Sequence, residues 1–400
     1  MLRILHLPKW YPHRYDDQDG DFVARHVAAS AAHGGAGGGP VQSAVVFAAV
    51  ARGPLPTLIA EDIDLGGPVP TWRYYYRARP TGLAPLDKLL KLGLWLACQR
   101  RGLRAVRRHW AGARPAVVHT HILFRPAALA WWLKLRYGIP YLITENWTVF
   151  QPGNVERLSR PKRWLAGYLV RQAAAYTPVS ADLRRALAAL GGVNAHTTVI
   201  PNVVDTELFY PPASPGGRTG LLNVAAFNEK AKNLSGLLRT VAGLRTRLPG
   251  LRLRIAGYGP AESQLHQLAA ELGLLADGTV AFLGKLTSSQ VAAEMRRAAA
   301  FVLFSNYENL PCVLIEAQAS GLPAVATHVN GVPELLPDGR AGLLVPARDE
   351  AALAEALAAV LTAPAGRFDA AALRARAVAE FSYPAVGRAF GAVYARILGQ

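Results

Sequence analysis

Short apolar runs alternate with amphipathic helical stretches along this chain, and after one interruption the whole alternation begins again. No other feature limits the fold as tightly. An apolar run too short for a helix and bounded by turn residues reads as a strand buried on both faces. A helix between two such strands makes them parallel. In the first half, residues 3–7, 44–50, 72–77, 116–119, 141–144, 175–178 and 198–200 read as strands. Residues 21–32, 126–137 and 181–190 read as helices, and 83–112 as a long helical segment with break points at Gly93 or Gly102. The stretch 210–217 is rich in proline and glycine and reads as a linker. Strands then resume at 221–226, 251–256, 280–283, 301–304, 324–326 and 342–345, and 383–398 closes the chain as an amphipathic helix. The expected class is α/β: two doubly wound parallel-sheet domains, 1–208 and 209–383, facing each other across a cleft.

Length and composition agree with two cores. The chain has 400 residues, of which 51% are hydrophobic. Its two cysteines, Cys98 and Cys312, imply no disulfide framework, which fits a reducing, cytoplasmic setting. The apolar start is broken at Pro8 and Lys9 and is too short for a signal peptide, and no run is long enough for a membrane span. The charge is uneven. Residues 1–200 carry 26 Lys+Arg against 11 Asp+Glu, a balance of +15, and residues 201–400 carry 18 against 16, a balance of +2. Arg100, Arg101, Arg104, Arg107 and Arg108 recur at helical spacing, with Leu92, Leu96, Leu103, Val106 and Trp110 on another face. Two readings stay open: a helix lying on an anionic membrane surface, or a solvated face of an arginine-rich protein. Nucleic acid is not the expected partner, because no zinc-finger or RNA-recognition pattern accompanies the charge.

The residues that carry chemistry cluster in the second half. Glu308 and Glu316 stand eight positions apart after the apolar run 301–304. Pro311 between them suits the first turn of a helix. The amides at such a helix start, from Leu310, Pro311's neighbours Cys312 and Val313, make an anion site. Two carboxylates around it can hold sugar hydroxyls while the amides hold a phosphate. Lys230 and Lys232 follow the run 221–226, just before a helical pattern from Leu234, and Lys232 is well placed for a phosphate. Gly257-Tyr258-Gly259-Pro260 follows another strand. Glu262 occupies the place of the third glycine of a dinucleotide fingerprint, so this reads as a tight turn near a nucleotide and not as an NAD site. Near the N-terminus, Gly20 is either a close approach to a ligand or a turn residue ahead of a helix.

Other signals are weaker. His119 and His121 sit at strand spacing, but no third and fourth ligand stands at recognisable spacing, so no metal is expected. His121, past the strand end at 119, is the one expected to open toward the cleft. Asp62-Ile63-Asp64 matches a metal-binding pattern of sugar transferases but is expected in a loop away from the other residues. Cys312 has no activating base and reads as a packing residue.

Taken together, these blocks identify a family. The E-x7-E pair of Glu308 and Glu316, followed by Gly321-Leu322-Pro323, resembles the retaining GT-B glycosyltransferases of family 4 (group 1). Ile200-Pro201-Asn202, Gly257-Tyr258-Gly259-Pro260, Gly331-Val332-Pro333-Glu334, Gly20-Asp21-Phe22, His119-Thr120-His121 and Thr177-Pro178-Val179-Ser180 fit the same family. The resemblance implies a GT-B fold of two Rossmann-like domains. It implies that Glu308 contacts the donor sugar, Glu316 the ribose, and Lys232, helped by Lys230 and amides near Leu310 to Val313, the diphosphate, with Asn309 also at the donor. It further implies His121 beside the sugar, Gly20 in a loop over the donor, Gly257 near the nucleotide, and a final helix, 384–400, crossing back to the first domain.

The chain also departs from the family. Phe227 and Ala226 stand where many relatives have an arginine before the phosphate lysine, and Asn309-Leu310-Pro311 replaces Gly-Phe-Gly. Thr144-Glu145-Asn146-Trp147 replaces a Thr-Glu-His-Trp-like block.

The expected activity is metal-independent, cofactor-free transfer of a hexosyl group, with retention, from a nucleotide diphosphate sugar to a glycan or lipid-linked acceptor. Two alternatives are a sugar-nucleotide epimerase or phosphorylase on a similar fold, and a non-catalytic protein bound to a membrane surface.

Overall fold

The computed structural model describes residues 2–79, 81–213, 217–364 and 366–399, so residues 214–216 of the proline- and glycine-rich stretch lie outside it. The chain forms two compact units. The first comprises Met1–Val179, Arg184–Val203 and Val386–Gln400, and the second Ser180–Leu183 and Val204–Ala385.

The first unit holds a seven-stranded sheet: β1 (Arg3–Pro8), β2 (Gln42–Val50), β3 (Ile59–Asp64), β4 (Thr71–Tyr76), β5 (Val117–His121), β6 (Tyr141–Glu145) and β7 (Ala175–Pro178). Their order is β3-β4-β2-β1-β5-β6-β7. Every pair is parallel except β3–β4. Asp62 and Asp64 therefore lie on an edge strand and not in a loop. The acidic side chains of Glu61, Asp62 and Asp64 leave β3 paired to β4 on one side while discouraging a further strand on the other.

Helices differ from expectation in two places. The helix Ala84–His109 runs through both glycines without a break. A Cβ at Gly102 would come 2.3 Å from Val46 Cγ1, so that glycine lets the helix lie close on β2. Gly93 faces open space, where its cost of about 1 kcal/mol is carried by the rest of the helix. A helix over Arg160–Gln172 fills a stretch for which the sequence pattern gave no element. Residues 198–200 are not a strand. Thr198 N donates to Tyr176 O at 3.0 Å and Ile200 N to Pro178 O at 3.1 Å, so they run beside β7 without forming a ladder.

The final helix, Tyr383–Leu398, contributes residues from 386 onward to the first unit. It lies against the helix Asp21–His33, where a Cβ at Gly387 would come 2.3 Å from Ala29 O.

The second unit holds β8 (Leu221–Val224), β9 (Leu253–Ala256), β10 (Val280–Gly284), β11 (Ala300–Leu303), β12 (Ala324–Thr327) and β13 (Gly342–Val345). All its pairs are parallel, in the order β10-β9-β8-β11-β12-β13. Chain direction across the sheet reverses between β8 and β11. Such a reversal opens a crevice at the carboxyl ends of the two strands, where ligands bind. Leu221, Ile255, Val302 and Val325 are buried in one core with Leu237 and Leu357 from flanking helices. Each such side chain contributes roughly 1.5–3 kcal/mol by leaving water, which fixes the two strand ends in place. Among the described residues, no helix is long and apolar enough to cross a membrane.

Candidate active site

The reversal between β8 and β11 organises the second unit's site. After β8 the chain turns through the short helix Glu229–Lys232, which Asn228 caps, and Asn233 at φ 48° redirects it into the helix Leu234–Leu244. After β11 the loop 304–311 leads to the helix Cys312–Ala319. Hydrogen bonds tie the two loops together. Asn306 N donates to Ala231 O at 2.7 Å, and Asn306 Nδ2 donates to Lys230 O at 3.0 Å.

That tie brings Lys232 onto Glu308. The lysine Nζ donates to Glu308 Oε1, with the two side chains only 20% and 9% exposed. Ser305 Oγ donates to the same carboxylate oxygen at 2.7 Å. Glu308 N in turn donates to Asn330 Oδ1 at 3.2 Å, and Thr327 Oγ1 donates to Ser305 O at 2.6 Å, so the loop after β12 also holds the glutamate in place. Ser305 and Asn330 are supports the sequence reading missed. Only the family block around 305–308 marks the first, and nothing local marks the second.

Asn309 adjoins this pair. Its Oδ1 accepts from Ser180 Oγ at 3.0 Å, while its Nδ2 is buried and has no partner among the described residues. Glu334 accepts from the amides of Ala181 and Asp182, both at 2.8 Å. Residues 180–182, far from Asn309 and Glu334 in sequence, are thus held to both within the second unit. Pro311 precedes the helix Cys312–Ala319 as its cap, and no acidic residue lies in the first turn. No acidic side chain of that turn offsets the positive end of the helix dipole. Leu310 is buried, and Glu316, one turn inside the helix, is 4% exposed.

Gly257 closes the neighbouring strand end. Its φ is 149°, and a Cβ there would sit 1.9 Å from Ala225 O. Only glycine lets the turn after β9 pack this tightly against the end of β8. Lys230 is exposed, and its backbone takes part in the loop tie described above.

Gly20 and His121 belong to the first unit and are not part of this group. Gly20 caps the helix Asp21–His33 at φ 70°, with its Cα packed on the backbone of Trp10. His121 does not lie past a strand end. β5 extends through it, and its ring is buried at 1% exposure. Strand alternation puts His119 and His121 on one face of β5, and the parallel register sets His6 of β1 opposite His119. His6 Nδ1 lies 3.2 Å from His121 Nε2. His119 hydrogen-bonds with Tyr394 OH at 2.8 Å and Thr144 Oγ1 at 2.7 Å. His26 packs against His121, and its Nε2 lies 2.9 Å from Pro201 O. Burial pushes His6 down to about 3, His26 to about 4, and His119 and His121 well below the usual range, so all four are neutral.

One ring nitrogen from each of His6, His119 and His121 lies within 4.8 Å of the others, close enough to meet at one ion. The third histidine comes from β1, which spacing within one strand does not reveal. Ser43, Tyr394 and Thr144 already occupy nitrogens of His6 and His119, which marks the trio first as a hydrogen-bonded core. At the end of β6, Glu145 accepts from the amides of Leu123, Asn146 and Trp147 at 2.7–2.9 Å, and burial still raises its carboxyl to about 7.

Comparison with known proteins places this arrangement. Over the full length of both chains the fold matches sucrose-phosphate synthase from Thermosynechococcus elongatus, with a TM-score of 0.76 at 21% identity. It also matches Anabaena HepE in complex with UDP-glucose over 98% of this chain and 99% of that one, with a TM-score of 0.72 at 17% identity. The architecture is the GT-B fold of nucleotide-sugar-dependent glycosyltransferases. Residues 48–208 match the sequence model "Glycosyltransferase Family 4", and residues 218–363 match "Glycosyl transferases group 1". Glycogen synthase of Mycobacterium tuberculosis is 33% identical over 317 residues, covering 76% of this chain and 74% of that protein. The chain belongs to glycosyltransferase family 4, group 1, and is a hexosyltransferase that takes its sugar from a nucleotide sugar.

Proposed function

We propose that the protein moves a hexosyl group from a nucleotide diphosphate sugar to an acceptor hydroxyl, with the anomeric configuration retained, in the assembly of a cell-surface polysaccharide or glycolipid. The observation that carries this reading is the Lys232–Glu308 pair at the switch point of the second sheet, with Glu308 just ahead in the chain of a helix whose first turn carries no acidic residue.

In this reading the second unit holds the donor. Glu316 takes the ribose hydroxyls, and Glu308 and Asn309 take the sugar. Lys232, with Lys230 and the amides of Leu310, Cys312 and Val313, takes the diphosphate. The bond from the anomeric carbon to the phosphate oxygen breaks, and a bond from that carbon to the acceptor oxygen forms on the same face. The acceptor's proton passes to the departing phosphate oxygen. The negative charge that grows on the diphosphate meets fixed positive groups, and losing one such group typically costs roughly 3–4 kcal/mol of barrier. The first unit provides the acceptor side. The relative crystallised with UDP-glucose makes that compound the first donor to test.

The test is incubation with radiolabelled nucleotide sugars and a membrane extract, followed by determination of the anomeric configuration of the product. Label in a glycan or lipid with retained configuration supports the proposal. Release of sugar phosphate, epimerised donor, or binding without turnover each overturns it.

A further inference from the structure

A cavity of about 830 Å³ opens on one face of the first unit's sheet, with Leu5 of β1 among the residues that line it. The helix Ala84–His109 lines one side with Trp95 and Leu103, and the helix Arg125–Tyr137 lines the other with Leu129 and Trp132. The volume falls within the range of small-molecule sites. Around this apolar interior stand the exposed arginines Arg100, Arg104, Arg107, Arg114 and Arg125, and among the described residues no carboxylate lines the space. Two lining residues, Gln99 and Trp110, bury a side-chain polar atom each, Oε1 and Nε1, with no partner among the described residues.

An apolar slot ringed by cations of one sign fits one chemical class, a molecule with a hydrocarbon chain and an anionic head. Guanidinium groups suit a phosphate through paired hydrogen bonds, and the Trp110 donor adds another. The adjoining surface points the same way. Leu83, Leu86, Leu89, Leu90, Leu92 and Leu96 are exposed at the start of the helix Ala84–His109, Leu89 by 71%. A patch of large apolar side chains beside arginines is the composition of a segment that lies in a membrane interface.

We propose that this groove binds an anionic phospholipid of a membrane leaflet. One acyl chain enters the slot between the two helices, the phosphate rests on the arginines, and the leucine row sits in the adjoining lipid. The site is independent of the donor reading, since it uses none of that reading's residues.

The experiment uses the full chain with vesicles of phosphatidylcholine, with and without phosphatidylglycerol, and reads the bound fraction. The expected result is binding that requires phosphatidylglycerol and survives excess inorganic phosphate at matched ionic strength. Ala128→Trp, which fills the slot without changing charge, is expected to weaken binding about tenfold, the loss of a few buried chain carbons. Arg104→Glu with Arg107→Glu is expected to abolish it. A melting temperature for each variant shows that it is folded.

A second readout does not depend on filling the slot. Phosphatidylglycerol brominated along its chains is expected to quench tryptophan emission, and Trp132→Phe to remove a large part of that quenching. Equal binding to neutral and anionic vesicles, displacement by inorganic phosphate, or unchanged quenching in Trp132→Phe would each overturn the proposal. Wild-type binding by folded Ala128→Trp would do the same, leaving only surface charge. Because these readouts involve no sugar transfer, their failure leaves the transferase reading untouched, and the reverse also holds.

Discussion

Replacing Lys232 by alanine separates chemistry from folding. In the free protein its Nζ is held by Glu308, whose carboxylate also accepts from Ser305 Oγ. Removing the lysine therefore has two effects. It withdraws a positive charge from the departing diphosphate, a loss of roughly 3–4 kcal/mol of barrier, or roughly 10²–10³ in kcat. It also leaves a carboxylate that is 9% exposed with a single hydroxyl partner. Breaking a buried pair costs about 3–5 kcal/mol of stability, and the 20% exposure of Lys232 puts this case at the low end. The double variant Lys232→Ala with Glu308→Gln tells the effects apart. It removes the stranded charge and is expected to recover most of the melting temperature, while turnover stays low. Lys232→Arg keeps the charge and is expected to keep part of the rate. The assay is release of nucleoside diphosphate at saturating donor, read beside thermal melting. A folded Lys232→Ala variant that turns over at the wild-type rate would refute the phosphate role.

Three further outcomes follow from the geometry. Asn309→Ala removes a buried amide donor without a partner and is expected to raise the donor KM about tenfold with kcat little changed, measured by steady-state kinetics. Chelation with EDTA, or Asp62→Ala with Asp64→Ala on the edge strand β3, is expected to leave transfer intact; a loss restored by a divalent metal would contradict a lysine-and-amide mechanism. Acid is expected to destabilise the first unit. Below the ordinary histidine value near 6.5, the unfolded chain takes protons that buried His6, His26, His119 and His121 refuse, so each costs about 1.4 kcal/mol per pH unit as pH falls. Glu145, held at about 7, has the opposite sign: it adds stability at low pH that fades as pH rises toward 7. Four against one leaves a net loss on acidification, and His26→Gln is expected to flatten the slope in urea titrations from pH 7 to 5. An equal slope in that variant would contradict the assignment.

The parts of the molecule that repeat along the chain were legible, and the parts assembled across it were not. The runs 175–178, 342–345 and 383–398 coincide with structural elements because each carries its own apolar period. The GT-B fold and the family could be read because Glu308 and Glu316 share one helix start, so their spacing survives in the sequence. By contrast, His6 meets His119 only through strand register, and Glu334 meets the amides of Ala181 and Asp182 only through the tertiary fold. Asp62 and Asp64 looked like loop residues because charge outweighs the strand pattern when a strand lies at an edge with one side in water. Gly102 looked like a break because a glycine in a helix is read by its local cost, whereas here β2 requires the space.

The central claim is that the second unit grips a nucleotide diphosphate sugar with Glu316 on its ribose. Calorimetric titration of UDP, or of the nucleoside diphosphate whose sugar shifts the melting temperature most, into wild type and Glu316→Ala tests it directly. Losing a charged acceptor for hydroxyls is worth roughly 1.5–3 kcal/mol, so affinity is expected to fall roughly ten- to a hundredfold while the protein stays folded. Unchanged affinity in the folded variant would contradict the account.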